Sequence, residues 1–269
     1  VILVSPFPWS ATLIFAYFSI LILMSTVTME TVFLHRASIS LKTEAEEALS
    51  LISHETAKLI ESRIETQKKT LETIALMEYI QSMNWEIQQP VLQRQLEKTN
   101  FADIAVVEPD GTAYYSSGAT SQLGDRDYIK KALSGETNVS DLLISRVTNE
   151  IVFMYATPIM KDGKVVGALI GRREGNTLSE ILQDVIYGNE GYGYIINDKG
   201  TVVAHPDGDK VTNQWNPIEE AKNDESQKSV ALHFEKILQE RTGVSQYSYQ
   251  GNDLYSAYKP IEGTNWIIV

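Results

Sequence analysis

Cysteine and histidine, the residue types that most often carry covalent catalysis or bind transition metals, are sparse in this chain. Its 269 residues contain no cysteine and four histidines, which are His35, His54, His205 and His233. Without cysteine the chain forms no disulfide, zinc finger or iron–sulfur cluster and has no thiol nucleophile. No two histidines lie three or four residues apart, the spacing that places two metal ligands on one face of a helix. The sequence therefore predicts no metal site and no cofactor.

Sequence motifs of hydrolases and nucleotide-binding enzymes are also missing. There is no G-x-S-x-G motif for a serine nucleophile. The glycine-rich residues 188–193 precede a predicted strand, whereas a dinucleotide-binding loop follows a strand and opens a helix. With 35 acidic and 23 basic residues the net charge is −12, which disfavours nucleic acid as a partner. A binding protein is favoured over an enzyme, and a membrane-anchored hydrolase is the remote alternative.

A strand pattern that occurs twice indicates which elements would position a binding site. Residues 104–116 form an apolar run, an Asp-Gly turn and a second apolar run, and residues 193–205 repeat this pattern around Lys-Gly. Each copy is typical of a β-hairpin. Residues 156–170 and 257–269 also match each other, with a strand ending in Pro-Ile, a glycine turn and a further strand. The repetition predicts two tandem antiparallel-sheet modules and an α+β fold class.

The N-terminal segment has the composition of a membrane span. Residues 1–29 contain no charged side chain, and residues 7–27 supply the roughly 20 apolar residues that cross a bilayer. A signal peptide is the alternative, but its apolar region is usually only about 7 to 15 residues long and a small-residue cleavage site follows it. We predict a transmembrane helix over residues 7–29 that anchors the chain in the cell membrane.

A long amphipathic helix is predicted after the span. Apolar residues recur at helical spacing over residues 41–82, and neither proline nor glycine interrupts residues 43–89. A shorter helix is predicted over residues 85–98. The apolar stripe is wide enough to pack against the sheet modules and also to pair with a second copy of the chain. We therefore expect a homodimer through this helix.

Five stretches are characteristic as a set: residues 125–141, 155–159, 191–206, 216–224 and 258–269, the first being DRDYIKKALSGETNVSD and the last YKPIEGTNWIIV. Together they resemble the double Cache family of extracytoplasmic sensor domains, in which two PAS-like modules follow one long N-terminal helix. The resemblance implies that residues after about 30 lie outside the cytoplasm and that a second membrane helix follows residue 269.

The resemblance also implies the domain boundaries. Residues 30–99 are expected to form the long helix and the second helix. Residues 100–175 correspond to the membrane-distal module and residues 176–269 to the membrane-proximal module. The membrane-distal module is the usual ligand site of such sensors.

Within that module, we predict a ligand site formed by Arg126, Tyr128, Asp141, Tyr155 and Glu174. A guanidinium binds a carboxylate through two parallel hydrogen bonds, a tyrosine offers an apolar ring with a polar tip, and an acid accepts from an ammonium or ring N–H group. This set suits a small polar molecule with opposed donor and acceptor groups.

Each of these side chains also has a structural interpretation. An ion pair with Asp125 or Asp141 would account for Arg126. Core packing would account for Tyr155 on its predicted strand, and local turns would account for Asp141 and Glu174. These alternatives stay open at the level of sequence.

The ligand class is only partly indicated. Amino-acid-sensing members of the family carry an arginine, an aromatic residue two places later, an adjacent tyrosine, a further tyrosine and a late aspartate. This chain keeps Arg126 and Tyr128 and has Glu174 near the late acidic position, but it has Ile129 beside the aromatic residue and no tyrosine in residues 141–144. An amino acid is therefore disfavoured, while an organic acid, an amine, a nucleobase or no ligand at all remains open.

The resemblance implies that the chain is the sensor domain of a transmembrane signalling receptor. Within the family a methyl-accepting chemotaxis receptor is favoured. A membrane diguanylate cyclase or a histidine kinase is the alternative, because sensors of this type precede all three kinds of output domain.

Overall fold

The computed structural model describes residues 9–183, 191–249 and 251–269. Residues 7 and 8 of the predicted span and residues 188–190 of the glycine-rich stretch lie outside the described residues. The chain divides into two compact units, Val1–Ala48 and Leu49–Val269. Both sheets belong to the second unit.

A single helix, α1 (Trp9–Ala75), contains the described part of the predicted span and most of the predicted long helix. A window of 18 residues near its N-terminus has a mean hydropathy of 2.0, so the helix is long and apolar enough to cross a membrane. The predicted helix end at residue 82 is wrong. Met77 has extended backbone angles, with φ −66° and ψ 131°, which separate α1 from the short helix α2 (Glu78–Gln81).

Within the second unit, α1 buries one face. Ala57, Ile60, Ile64 and Leu71 are at most 1% exposed. Their spacing of three, four and seven residues places them on one side of the helix, as the amphipathic pattern predicts.

The first sheet follows helix α3 (Trp85–Leu96). Its strands are β1 (Asp103–Val107), β2 (Thr112–Tyr115), β3 (Thr120–Gln122), β4 (Asn138–Val139), β5 (Leu143–Ile144), β6 (Ile151–Lys161) and β7 (Lys164–Glu174), and helix α4 (Asp127–Leu133) lies between β3 and β4. Among the described residues the strand order is β3-β2-β1-β7-β6-β4, with β5 also paired to β6, and all pairs are antiparallel. The β1–β2 hairpin closes at Gly111, whose φ of +88° suits glycine.

The second sheet repeats this arrangement with larger helical insertions. Its strands are β8 (Ile195–Ile196), β9 (Val202–Ala204), β10 (Gly243–Tyr249), β11 (Asn252–Pro260) and β12 (Ile267–Ile268); the helices are α5 (Thr177–Leu182), α6 (Gly208–Thr212), α7 (Pro217–Glu220) and α8 (Lys228–Glu240), with a 3₁₀ helix at Glu225–Gln227. The strand order among the described residues is β10-β11-β12-β8-β9. Both predicted hairpins, β1–β2 and β8–β9, are therefore present.

Buried apolar side chains form three clusters among the described residues. The first, which we call the shared core, combines α1 with one face of each sheet and includes Phe153, Leu169, Val203 and Trp266. The opposite face of the first sheet packs against α4 and is called the α4 face; the opposite face of the second sheet packs against α8 and is called the α8 face. A long helix followed by two antiparallel-sheet modules confirms the predicted α+β fold class.

Candidate functional site

The α4 face of the first sheet is built by strand alternation. Successive side chains of a strand point to opposite faces, so Met154 and Ala156 of β6 face α4, as do Ala168 and Ile170 of β7. Small and medium apolar side chains therefore form the sheet surface that packs against α4.

Arg126 is the residue immediately before α4. Its Nη2 donates a hydrogen bond to the backbone carbonyl of Ile144 at 3.2 Å, while its buried Nε has no partner. The ion pair with Asp125 that the sequence left open does not form, because that carboxylate binds both terminal nitrogens of Arg146 at 2.7 and 2.6 Å. Arg126 thus keeps a donor available on the α4 side of the sheet.

Tyr128 follows on α4 and is 5% exposed. Burial raises its pKa well above the usual range, and the nearby Tyr115 adds to the shift while the charge of Arg126 opposes it. The pKa of Tyr115 is raised by burial to about 12, although the positive charges of Arg172 and Arg126 act against this increase. Both tyrosines therefore stay neutral near pH 7 and can donate their hydroxyl protons.

Asp141 lies just after β4 and connects the two sheets. Its Oδ1 accepts a hydrogen bond from Trp266 Nε1 at 2.6 Å, and its Oδ2 accepts one from Asn265 Nδ2 at 3.0 Å. The local turn that the sequence left open is made by Ser140 instead, whose hydroxyl donates to the carbonyl of Asp141 at 2.7 Å. Asp141 therefore links the edge of the first sheet to the last strand of the second.

Tyr155 lies on the opposite face of the first sheet from α4. It belongs to the shared core, where its ring centroid is 5.9 Å from that of Phe101. Gly171 on β7 permits this packing, because a Cβ there would come within 2.6 Å of the Phe101 ring. Glu174 is exposed at the end of β7, and its carbonyl accepts a hydrogen bond from Thr177 Oγ1 at 2.8 Å.

The structure brings together three of the five predicted residues. Arg126, Tyr128 and Asp141 line one open cleft with a volume of about 1220 Å³, whereas Tyr155 and Glu174 do not line it. Residues of both sheets form the walls, including Asn138 from β4 and Lys199 from the loop between β8 and β9. The cleft is larger than the roughly 300–1,000 Å³ of an ordinary small-molecule site, and its lining is mainly polar, so a small polar molecule fits inside it.

Arg172 is a buried polar residue that sequence analysis missed. It is 9% exposed on β7, and its Nε and Nη1 have no hydrogen-bond partner. It shares the alternation phase of Ala168 and Ile170, which places it on the α4 face. The signal in the sequence that could have identified it is the position of this arginine, two residues after Ile170 in the alternating pattern of an apolar strand.

Asn138 is the second missed residue, and it is 6% exposed. Its Nδ2 donates to the carbonyls of Tyr128 and Glu136, each at 3.1 Å. Because both neighbours are acceptors, the amide nitrogen must face them, and the buried Oδ1 is left without a partner.

The groups on this face suit ligand binding and not metal binding. Among the described residues, no group of three His, Cys, Asp or Glu side chains lies close enough to hold a metal ion. The chemistry on offer is hydrogen bonding and charge pairing by guanidinium, amide and phenol groups.

Comparison with known proteins assigns the family. A family model described as a Cache domain matches residues 37–269. The chain belongs to the double Cache family. The resemblance stated from the sequence is thereby confirmed.

Several members of the double Cache family are similar to this chain. The methyl-accepting chemotaxis protein PctB of Pseudomonas aeruginosa is 22% identical over 253 residues, which are 90% of this chain and 37% of that protein. The chain thus spans little more than a third of the length of PctB. The ligand-binding domain of the Pseudomonas fluorescens chemoreceptor CtaA, solved with L-serine, has a TM-score of 0.65 at 19% identity and covers 84% of this chain and 96% of its own.

Two further solved double Cache domains have the same fold. The ligand-binding domain of the Pseudomonas aeruginosa chemoreceptor PctC, solved with GABA, gives a TM-score of 0.64 at 21% identity, covering 83% of this chain and 97% of its own. The sensory domain of Campylobacter jejuni Tlp3, solved with isoleucine, gives a TM-score of 0.61 at 15% identity. The match covers 86% of this chain and 93% of the Tlp3 domain. At these identities the agreement establishes the fold that this chain shares with them.

Proposed function

We propose that this chain is the extracytoplasmic ligand-binding domain of a transmembrane chemotaxis receptor, together with its first membrane helix. A small polar molecule binds beneath α4 in the first module. The observation that carries the proposal is the presence of buried polar atoms without partners on the α4 face. Arg126 and Asn138 contribute two of them and line the cleft, and Arg172 contributes two more on the same face, outside the cleft lining. Leaving such atoms unpaired destabilises the fold unless a ligand completes their hydrogen bonds.

The relatives support this function. PctB is named a methyl-accepting chemotaxis protein, and the CtaA, PctC and Tlp3 domains were solved with L-serine, GABA and isoleucine. All three ligands are small and polar. The domain therefore acts by binding and not by catalysis.

Membership of the double Cache family supports the orientation that we propose. The apolar N-terminal part of α1 crosses the membrane, and the residues after about 30 lie outside the cytoplasm, with the first sheet module distal and the second proximal. The apolar residues 12–29 are exposed throughout, as they would be against lipid.

A ligand signal would reach the second sheet through Asp141. This residue belongs to the wall of the cleft and holds Trp266 and Asn265, which flank the start of β12. A ligand that binds one arrangement of the cleft wall better than another shifts the equilibrium between them. The free energy available for this shift equals the difference between the ligand's binding free energies for the two arrangements, which is typically about 1 to 3 kcal/mol.

Two copies of the chain pair through α1 in our proposal. Leu51 and Leu59 are 61% and 44% exposed on this helix, outside its buried face. Replacing both with glutamate should convert a dimer into a monomer in analytical ultracentrifugation of the detergent-solubilised chain. Glutamate in place of the exposed Leu232 on α8 is the control and should leave the mass unchanged.

The function is tested by ligand binding to the whole chain in lipid nanodiscs. A thermal-shift screen would use amino acids, organic acids, amines and nucleobases. A ligand at a hundredfold excess over its dissociation constant stabilises the folded state by about 2.7 kcal/mol. We expect at least one compound to raise the melting temperature, and Arg126→Ala to abolish the effect.

Arg94→Ala provides the matched control, because Arg94 is exposed on α3 and bonds only locally, to the carbonyl of Pro90 at 3.2 Å. It should leave the shift intact. Absence of any shift across the whole panel would contradict the proposed function.

A further inference from the structure

Two buried nitrogens of the Arg172 guanidinium have no hydrogen-bond partner among the described residues. No ion pair joins it to a carboxylate among the described residues. Asp103 lies opposite it in the pairing of β1 with β7. That carboxylate already accepts hydrogen bonds from Ser116 Oγ at 2.7 Å, Ser117 Oγ at 2.6 Å and the N–H of Ile104 at 2.9 Å.

A buried guanidinium in this condition is costly, since removal from water is not offset by hydrogen bonds from its Nε and Nη1. Arg172 is therefore expected to be paired by something other than the protein. Its planar fork of donors matches a carboxylate, which it can bind through two parallel hydrogen bonds.

Two more unpaired atoms lie on the same side of the sheet. Nε of Arg126 is a second charged donor, and Oδ1 of Asn138 is an acceptor. Asn138 is directly opposite Ala156 in the β4–β6 pairing, and Ala156 belongs to the α4 face. Tyr115 lies on that face as well, and the charges of Arg172 and Arg126 lower its pKa while that of Asp103 raises it.

This combination defines the missing partner chemically. Two cationic donors require an anionic acceptor, and a lone amide oxygen requires a neutral or cationic donor. Asp103 already accepts three hydrogen bonds, and Asp141 is bound to Trp266 and Asn265. Of the other carboxylates that line the cleft, Asp125 is bound to Arg146 and Asp127 to Lys130. A ligand hydroxyl needs one acceptor, which Oδ1 of Asn138 supplies. A ligand ammonium has three donors and a positive charge, so one neutral acceptor does not satisfy it.

We propose that the α4 face binds a small 2-hydroxy carboxylic acid, whose carboxylate pairs with Arg172 and Arg126 and whose hydroxyl donates to Oδ1 of Asn138. This inference rests on the proposed function and names the ligand class of the same site. It separates this chain from the relatives that were solved with amino acids.

Matched ligand pairs test the class. Lactate against alanine, and malate against aspartate, differ only in a hydroxyl or an ammonium at the same carbon. Isothermal titration of the whole chain in nanodiscs should detect the hydroxy acid of at least one pair, with an affinity at least about tenfold above that of the amino acid, the factor that corresponds to 1.4 kcal/mol. Tighter binding of the amino acid in both pairs would overturn the inference and leave the proposed function standing.

Arg172→Met tests the role of the arginine. If Arg172 binds the ligand, the variant loses at least about tenfold in affinity, while the melting temperature of the unliganded chain stays equal or rises because an unpaired buried charge has been removed. If Arg172 is only a structural partner of Asp103, the unliganded chain melts earlier, and that result contradicts the inference.

Arg173→Gln is the matched control. Arg173 is the next residue on β7 and points to the other face, where it donates to the carbonyl of Asn100. Its variant should bind the hydroxy acid with unchanged affinity. Equal losses of affinity for Arg172→Met and Arg173→Gln would show that any substitution in this part of β7 weakens binding, and would overturn the inference. A panel in which only amines, nucleobases or amino acids bind would do the same without affecting the proposed function.

Discussion

The two sheets of this protein share an architecture but differ in how their outer faces are closed. Each sheet turns one face to the shared core, and each covers its other face with a helix. The first uses α4, which has 7 residues, and the second uses α8, which has 13. The longer helix buries Val230, Phe234 and Ile237 together with His233, whereas α4 buries Tyr128, Ile129 and Ala132.

The polar groups follow the same contrast. On α8, His233 is 4% exposed and both ring nitrogens are paired, with Ser245 Oγ at 3.2 Å and Ser256 Oγ at 2.9 Å. On the α4 face, Arg172 and Asn138 keep buried atoms without partners. The hydroxyl of Tyr194 is the neutral buried atom without a partner on the α8 face, whereas the α4 face leaves charged guanidinium nitrogens without one. The two faces therefore differ in the charge of the groups that they leave unpaired. A duplicated fold can specialise in this way without changing its strand order.

The largest effect is expected from the core that the two sheets share. Trp266 is 1% exposed, and its ring centroid is 5.3 Å from that of Phe153 in the first sheet. Trp266→Ala should lower the free energy of unfolding by about 3 to 5 kcal/mol, and both modules should unfold in one transition in urea followed by circular dichroism. Trp215→Ala, at the half-buried edge of the α8 face, should cost less. Separate melting of the second module alone would argue against a shared core.

A somewhat smaller effect is expected at the α8 face. Phe234 is 1% exposed and stacks on Tyr194 with ring centroids 5.8 Å apart. Phe234→Ala should cost about 3 kcal/mol of stability yet leave ligand affinity at the α4 face within about twofold, since the two faces are separate. Leu232→Ala, on the exposed side of the same helix, should change neither quantity. A large loss of ligand affinity in the folded Phe234→Ala variant would show that the α4 face and the α8 face are not separate.

The link between the modules should contribute less. Asp141→Ala leaves Trp266 Nε1 without an acceptor in a buried position and removes the bond to Asn265, so we expect a loss of about 1 to 3 kcal/mol in urea unfolding. Asp198→Ala removes only the more exposed bond to the same asparagine, of 3.1 Å, and should have little effect. Equal losses for the two variants would mean that Asp141 is not the connection we describe.

The smallest effect is a pH dependence of the unfolding free energy that originates in the second module. Residues 100–175 of the first module contain no histidine. Burial, with a contribution from the charge of Lys236, lowers the pKa of His233 from 6.5 to about 4. The folded state then favours the neutral ring. The stability due to His233 is complete above about pH 6.5 and is lost as the pH falls towards 4.

Between about pH 7.5 and 5.5 this loss is about 1 kcal/mol. His233→Gln should reduce the acid dependence of the unfolding free energy by that amount, whatever its effect at neutral pH. An unchanged slope would show that another group causes the acid sensitivity. The measurement is urea unfolding of the unsubstituted protein and of the His233→Gln variant at pH 7.5 and pH 5.5.

Much of the fold was predictable from the sequence. The Asp-Gly and Lys-Gly turns between apolar runs predicted hairpins β1–β2 and β8–β9, because such turns restrict the chain locally. The site was predictable only in part. Arg126 and Tyr128 stand in a motif of the family, whereas Arg172 is a single arginine in a strand, and its burial depends on pairing with β1 and on the helix above it.

Tyr155 illustrates the limit most clearly. Alternation along β6 places Phe153 and Tyr155 on one face, and both belong to the shared core. The period of two in a strand distinguishes two faces but does not say which of them meets α1 and which meets α4. That choice follows from the packing of the whole sheet.

The sequence by itself determined the elements, their tandem repetition and the apolar helix, because turn chemistry and periodicity act over a few residues. Only the tertiary structure decided which polar groups meet and which stay unpaired. Asp141 and Trp266 are 125 residues apart, and their hydrogen bond exists only because the two sheets pack together. The unpaired Nε and Nη1 of Arg172 arise in the same way: the strand register and burial remove them from water, and no described residue accepts a hydrogen bond from them.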